Sequence, residues 1–198
     1  MQADGKLVLS ADSENATAFL YQGSVGAAHN QESIKAAGIT HILTAASAIK
    51  QNFPELVKYH QLPLLDTPSQ SVQEHFESAW KFINECREAK GRILVHCFAG
   101  KSRASTVTLS YIMSEMKVNL KDAYDHLKKC RPIAQPNAGF MQQLKTLEFG
   151  LFGSNSDVPI VVASSEEESE PEATKSEEEK SLAKEINDGM EAAGTGEK

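Results

Sequence analysis

The chain has no apolar run approaching the ~20 residues that a membrane-crossing helix needs. Its opening stretch, MQADGKLVLSADSENATAFL, shows no basic segment leading into a long apolar one. Together these absences set the expectation of a soluble protein, cytoplasmic and/or nuclear, with no membrane partner. Cysteine is scarce: three among 198 residues, an odd number without C-x-x-C spacing. That excludes a disulfide framework and reads as reduced thiols. His29, His41, His60 and His75 show no helical pairing with another histidine, a cysteine or a carboxylate in a metal pattern. His126 lies near Asp122, which reads more simply as a solvated helix face, so neither a metal nor a cofactor is expected. No repeat with a period of roughly 20–50 residues is visible.

The net charge of −7 is unevenly spread. Residues 154–198 carry 13 acidic residues against 4 lysines, which leaves residues 1–153 slightly basic. The acidic part, SSEEESEPEATKSEEEKSLAKEINDGMEAAGTGEK, has no aromatic residue and few large apolar ones. Such a stretch buries too little surface to offset the entropy of ordering. It reads as a disordered tail over 154–198 behind a catalytic domain over 1–153. In the tail, Ser164, Ser165 and Ser169 each stand three residues before a glutamate. That spacing suits an acidophilic protein kinase as a partner, with an inert solubilising tail as the alternative.

Strand-like and helix-like stretches alternate through residues 1–153. LVLS, AFLYQG, ITHILTAA, VKYHQLPLL and RILVHC read as strands, the last apolar on both faces as suits the centre of a helix-covered sheet. NQESIKAAG reads as a helix begun by Asn30 and stopped by Gly38. SVQEHFESAWKFINECREAK reads as a longer one, with Ser71 and Glu74 as a capping box and Gly91 closing it. Its apolar face carries Phe76, Ala79, Trp80, Ile83 and Cys86. ASTVTLSYIMSEM, LKDAYDHLKKC and NAGFMQQLKTLEFGLF complete the domain as helices. The class is α/β: a central, mostly parallel sheet flanked by helices.

At the end of the fifth strand stands VHCFAGKSRAST, residues 95–106, a strand–loop–helix passage with five residues between Cys97 and Arg103. A loop of that length can curl so that successive N–H groups converge, while the helix N-terminus adds its positive end; together they cradle a phosphate dianion. The same field favours a thiolate, which predicts a Cys97 pKa below the ordinary cysteine range. Arg103 offers a planar fork to two phosphoryl oxygens, and Gly100 lets the backbone turn close to the ligand. Cys86 and Cys130 read as packing thiols. KKCR, 128–131, reads as a helix end with favourable cations, or as a contact for an acidic substrate segment.

VHCFAGKSRASTVTLSYIM resembles the signature of the cysteine-dependent dual-specificity protein phosphatases, and RPIAQPNAGFMQQL resembles the segment that follows it in that family. The likeness covers about residues 19–150 and is strongest to small stand-alone members. It implies that Cys97 attacks phosphorus to form a phosphocysteine, that Arg103 and the amides of Phe98, Ala99, Gly100, Lys101, Ser102 and Arg103 bind the phosphoryl oxygens, and that His96 helps set the thiol's pKa. Asn137 would buttress the loop; by its local sequence it reads equally as a helix-capping Asn. The reaction needs an acid on a loop beside the pocket. Asp66, in LPLLDTPSQSV, matches that place in the family pattern, while Asp-Thr-Pro is also ordinary turn chemistry.

The residue after the arginine is normally Ser or Thr in that family, and its hydroxyl eases departure of the thiolate from the phosphoenzyme. Here it is Ala104. Ser105 is no obvious substitute, since one helical step turns it roughly 100° away. The resemblance thus implies a monomeric phosphatase acting on phosphorylated proteins, with no nucleic-acid partner. A phosphoinositide phosphatase stands as an alternative supported by Lys101 and weakened by Phe98. A slow or inactive phospho-residue binding module is a third reading, raised by Ala104.

Overall fold

The computed structural model describes residues 5–10 and 18–160. Five strands form one sheet: β1 (Lys6–Ser10), β2 (Ala18–Gly23), β3 (His41–Ala45), β4 (Lys58–Leu62) and β5 (Ile93–His96). Their order is β1-β2-β5-β3-β4, with β1 antiparallel at one edge and the other four parallel. The five strands read from the sequence are the five observed, and β5 is the central one.

Alternation along the strands splits the interior into two layers. Leu20 of β2, Leu43 and Ala45 of β3, and Ile93 and Val95 of β5 face the larger core. Tyr21, Ile42 and Leu94 face the smaller one. The smaller layer is closed by α1 (Val25–Ala28) and α2 (Gln31–Ala37). The Asn30 side chain caps α2 and Gly38 ends it at φ +64°, as the sequence predicts; the single turn of α1 carries no sequence signal long enough to read.

The larger core lies beneath α3 (Phe76–Glu88), α4 (Arg103–Met116), α5 (Leu120–Cys130) and α6 (Ala138–Phe152). Every residue of α4 from Arg103 to Met113 is buried, which places this helix at the centre of the layer. Several of its polar side chains are bonded locally or by neighbours: Thr106 Oγ1 donates to the Ser102 carbonyl at 3.0 Å, and Trp80 Nε1 donates to Ser110 Oγ at 3.0 Å. Glu148, wholly buried on α6, accepts from the amides of Leu120 at 2.8 Å and Ser156 at 3.0 Å. That carboxylate fixes the start of α5 and turns the chain back after α6. Val158 is buried there, inside the stretch read as tail; residues 161–198, with the tail serines, lie outside the described residues.

Three local expectations are corrected. The Ser71–Glu74 capping box does not form, and α3 begins through a 3-10 turn, Gln73–His75, without a side-chain cap from its own sequence. The amides of Val72 and Gln73 instead donate to Gln143 Oε1 on α6, at 2.8 and 3.2 Å. Tertiary packing supplies the acceptor that a local box would have given. At the other end of α3 the left-handed residue is Lys90, at φ +54°, with the Gly91 amide donating to the Cys86 carbonyl at 2.9 Å. Glycine is needed at 91 for another reason: a Cβ there would lie 2.4 Å from Thr40 Oγ1. His126 is half-buried, not on a solvated face, and its Nε2 bonds the Val8 carbonyl of β1 at 2.8 Å.

Gln143→Leu should remove the acceptor for two amides and leave at least one unsatisfied in a partly buried position. The expected loss is about 1–3 kcal/mol, measured as a lower urea midpoint at unchanged slope.

Candidate active site

Cys97 follows the last residue of β5, and Arg103 is the first of α4. Between them the carbonyls are held in turn by the surrounding protein. Phe98 C=O accepts from the Val25 amide at 2.9 Å, and Ala99 C=O from Arg131 Nη2 at 3.1 Å. Gly100 C=O accepts from Arg131 Nε at 2.8 Å and Gln22 Nε2 at 3.2 Å. Lys101 C=O accepts from the Gln135 amide at 2.8 Å and Ser105 Oγ at 2.6 Å. Ser102 C=O accepts from the amide and the hydroxyl of Thr106.

In a planar trans peptide the C=O and the following N–H point in opposite directions. Holding these five carbonyls outward therefore turns the N–H groups of Ala99, Gly100, Lys101, Ser102 and Arg103 toward the concave side. The Gly100 N–H is seen there, donating to Cys97 Sγ at 3.2 Å. Gly100 itself sits at φ +66°, where a Cβ would come within 2.3 Å of the Gly23 carbonyl and 2.6 Å of Arg131 Nη2. Only glycine fits both the angle and the space.

The predicted residues converge on this loop. Arg103, 3% exposed, pairs with Asp66, Nε to Oδ2 at 3.4 Å, and donates to the Leu64 carbonyl at 3.4 Å. Asp66 lies on the loop after β4, with its other oxygen accepting from Asn137 Nδ2 at 3.0 Å. Asn137 Oδ1 caps α6 through the Phe140 amide at 2.9 Å, while the Asn137 backbone amide donates to Ser102 Oγ at 3.1 Å. One asparagine thus ties the phosphate-loop candidate, the Asp66 loop and α6 together. The fit of that loop on α6 is close, since a Cβ on Gly139 would lie 1.9 Å from the Pro68 carbonyl. His96 is buried beneath, its Nε2 bonding Thr44 Oγ1 at 2.9 Å and its Nδ1 the Cys97 carbonyl at 3.3 Å. Lys101 and Ala99 are exposed. Phe98 contributes backbone to the loop while its ring packs beside Val25, Ala46 and Ile49.

Two structural ties carry weaker sequence signals. Arg131 is 3% exposed and holds two loop carbonyls, so it is no surface cation for an acidic substrate segment. Its charge at a helix end disguised it. Gln22 is wholly buried, and the signal was legible: it is the polar member of AFLYQG, two residues after core-facing Leu20.

The Cys97 thiol also runs against expectation. It is 1% exposed, and this burial is the largest influence on its pKa, raising it above the ordinary cysteine value. Arg103 and the amides of Ala104 and Gly100 act against burial, whereas Asp66 adds to it. The sequence argument counted the helix terminus and the arginine but not the desolvation or the carboxylate that shares Arg103. Of the other cysteines, burial pushes Cys86 up to about 11. Neutralising Asp66 as Asp66→Asn removes a contribution that raises the pKa, so the pH profile of Cys97 alkylation by iodoacetamide should move to lower pH. Arg103→Met should move it to higher pH. Peptide mass spectrometry after timed alkylation distinguishes Cys97 from the others; shifts of the opposite signs would refute this balance.

Comparison with known proteins places this geometry. Residues 20–149 match the model of the dual specificity phosphatase catalytic domain. Dual specificity protein phosphatase 1 of Arabidopsis thaliana is 40% identical over 129 residues, 65% of each chain. A probable rhodanese domain-containing dual specificity protein phosphatase of Dictyostelium discoideum is 39% identical over 127 residues, 64% of this chain and 27% of that one. The match therefore spans less than two thirds of either relative. Among solved structures, a mouse putative dual specificity phosphatase complexed with zinc tungstate superposes with a TM-score of 0.68 at 28% identity, covering 77% of this chain and 91% of that one. The match to the catalytic-domain model over most of the described chain, with the same fold in a solved relative, means that this chain belongs to the dual specificity phosphatase family.

Proposed function

We propose that this chain is a protein phosphatase that removes phosphate from phosphotyrosine and phosphoserine/threonine through a phosphocysteine. The observation that carries the reading is the loop whose carbonyls are all drawn outward around a buried cysteine. In the first step the Cys97 thiolate attacks phosphorus; an S–P bond forms, the ester O–P bond breaks, and the departing oxygen takes the proton of Asp66. In the second, water attacks phosphorus and gives a proton to Asp66, the S–P bond breaks, and inorganic phosphate leaves with the thiolate restored. Arg103 and the loop amides stabilise the equatorial oxygens throughout, a preorganised field that needs no rearrangement during reaction.

Cys97→Ser should abolish turnover while retaining phosphate binding, because an alkoxide is far harder to form than a thiolate at neutral pH. Asp66→Ala should lower turnover by ~10²–10⁴ on phosphopeptides and less on para-nitrophenyl phosphate, whose leaving group needs little protonation. Steady-state assays with phosphopeptides and phosphoinositides in parallel test the reading. Retained turnover by Cys97→Ser, or a preference for the lipids, would overturn it.

Ala104 favours a second reading, a protein that captures phosphate and releases it slowly. Its side chain is wholly buried and offers the sulfur only a backbone N–H. The nearby hydroxyls have other partners: Ser102 accepts from Asn137, while Ser105 and Thr106 bond loop carbonyls. A hydrogen bond to a charged group contributes about 1.5–3 kcal/mol, roughly ten- to a hundredfold in the affected step. Stopped-flow kinetics should therefore show a burst and a slow steady state, with Ala104→Ser accelerating the slow phase. No burst and no acceleration would mean that release does not limit turnover.

A further inference from the structure

Gln22 occupies a position where strand alternation asks for an apolar side chain, two residues beyond core-facing Leu20 and wholly buried. A leucine would fill the same volume with nothing to satisfy. The glutamine leaves its Oε1 without a hydrogen-bond partner among the described residues, a cost to stability. What the amide supplies is a pair of donors aimed at the loop. Nε2 donates to the Gly100 carbonyl at 3.2 Å and to Ser105 Oγ at 2.8 Å. Ser105 spends its own proton on the Lys101 carbonyl at 2.6 Å.

The Gly100 and Lys101 carbonyls belong to the peptide units whose N–H groups are those of Lys101 and Ser102. One buried amide therefore orients two of the inward-facing donors, directly and through a hydroxyl. The chain Gln22–Ser105–Lys101 is head-to-tail, so each bond polarises the next. Ser105 stands immediately after Ala104, and its hydroxyl is bonded to the loop backbone. We propose that Gln22 and Ser105 are positioning residues, a buried clamp that sets the Lys101 and Ser102 amides for oxyanion binding without touching the substrate. The clamp rests on reading this loop as a phosphate site.

Calorimetric titration of the full chain with sodium tungstate tests it, using Gln22→Leu, Ser105→Ala and the double variant, alongside kcat and KM for para-nitrophenyl phosphate and thermal melts. Gln22→Leu should bind tungstate about tenfold more weakly, as expected when charge-assisted hydrogen bonds are loosened, and lose a similar factor in kcat/KM. Its melting temperature should hold or rise, because the orphaned oxygen is gone; a merely structural glutamine would show the reverse. The double variant should bind no more weakly than the weaker single one, since the pair acts as a unit. Tungstate affinity within about twofold of wild type in Gln22→Leu, or losses that simply add, would overturn the clamp. Should Gln22→Leu fail to fold, Ser105→Ala carries the same test. A wild type that binds tungstate but hydrolyses no phosphomonoester would overturn the phosphatase reading while leaving the clamp to be judged on its variants. A wild type that turns over, with Gln22→Leu binding as tightly, would overturn the clamp alone.

Discussion

The outward anchoring of the loop carbonyls between Phe98 and Ser102 is the constraint on which the rest of the site depends. Backbone amides converge on one point only when something else draws the opposing oxygens away, because like dipoles aligned together repel. Here the anchors come from five parts of the fold: β2 through Gln22, α1 through Val25, the end of α5 through Arg131, the following loop through Gln135, and α4 through Ser105 and Thr106. All of these anchors but Gln135, which is half-buried in its loop, are held by burial or by the backbone of a regular element. The converging geometry is therefore built before any ligand arrives, which is the condition for electrostatic preorganisation.

The same network reaches the candidate acid. Asp66 is held between Arg103 and Asn137, and Asn137 also caps α6 and binds Ser102. The tight seat of Pro68 on Gly139 brings that loop against the start of α6. Arg103 thus faces both a carboxylate and the proposed oxyanion cradle, and in that reading an incoming phosphoryl group would meet an arginine already oriented by its partner. Burial is what chiefly raises the Cys97 thiol, and the Asp66 carboxylate beside Arg103 adds to it, against the lowering effect of the guanidinium.

Burial divides the polar residues of the site by task. Gln22, His96, Arg103 and Arg131 are enclosed, and each bonds a backbone carbonyl. Lys101 and Asp66 are exposed. Enclosed groups keep their geometry because water cannot compete for their hydrogen bonds; exposed ones remain able to meet a substrate.

Local patterning by itself determined the five strands, the helices from α2 to α6 to within a few residues of their ends, and the joining of Cys97, Gly100 and Arg103 in one strand–loop–helix passage. Those features depend on neighbours within a few residues: period-two and period-3.6 burial, capping at Asn30 and Gly38, and the reach of a five-residue loop. Tertiary structure decided everything that crosses the chain. It gave α3 its amide acceptor from Gln143 in place of Ser71, put Lys90 rather than Gly91 in the left-handed turn, and turned Arg131 from an apparent surface cation into a support for the loop. It also set the balance at Cys97, because desolvation and the pairing of Arg103 with Asp66 arise only when segments separated by tens of residues are packed together. Composition and spacing report which groups are available; a pKa or a hydrogen bond depends on the dielectric and partners that the folded chain puts around them.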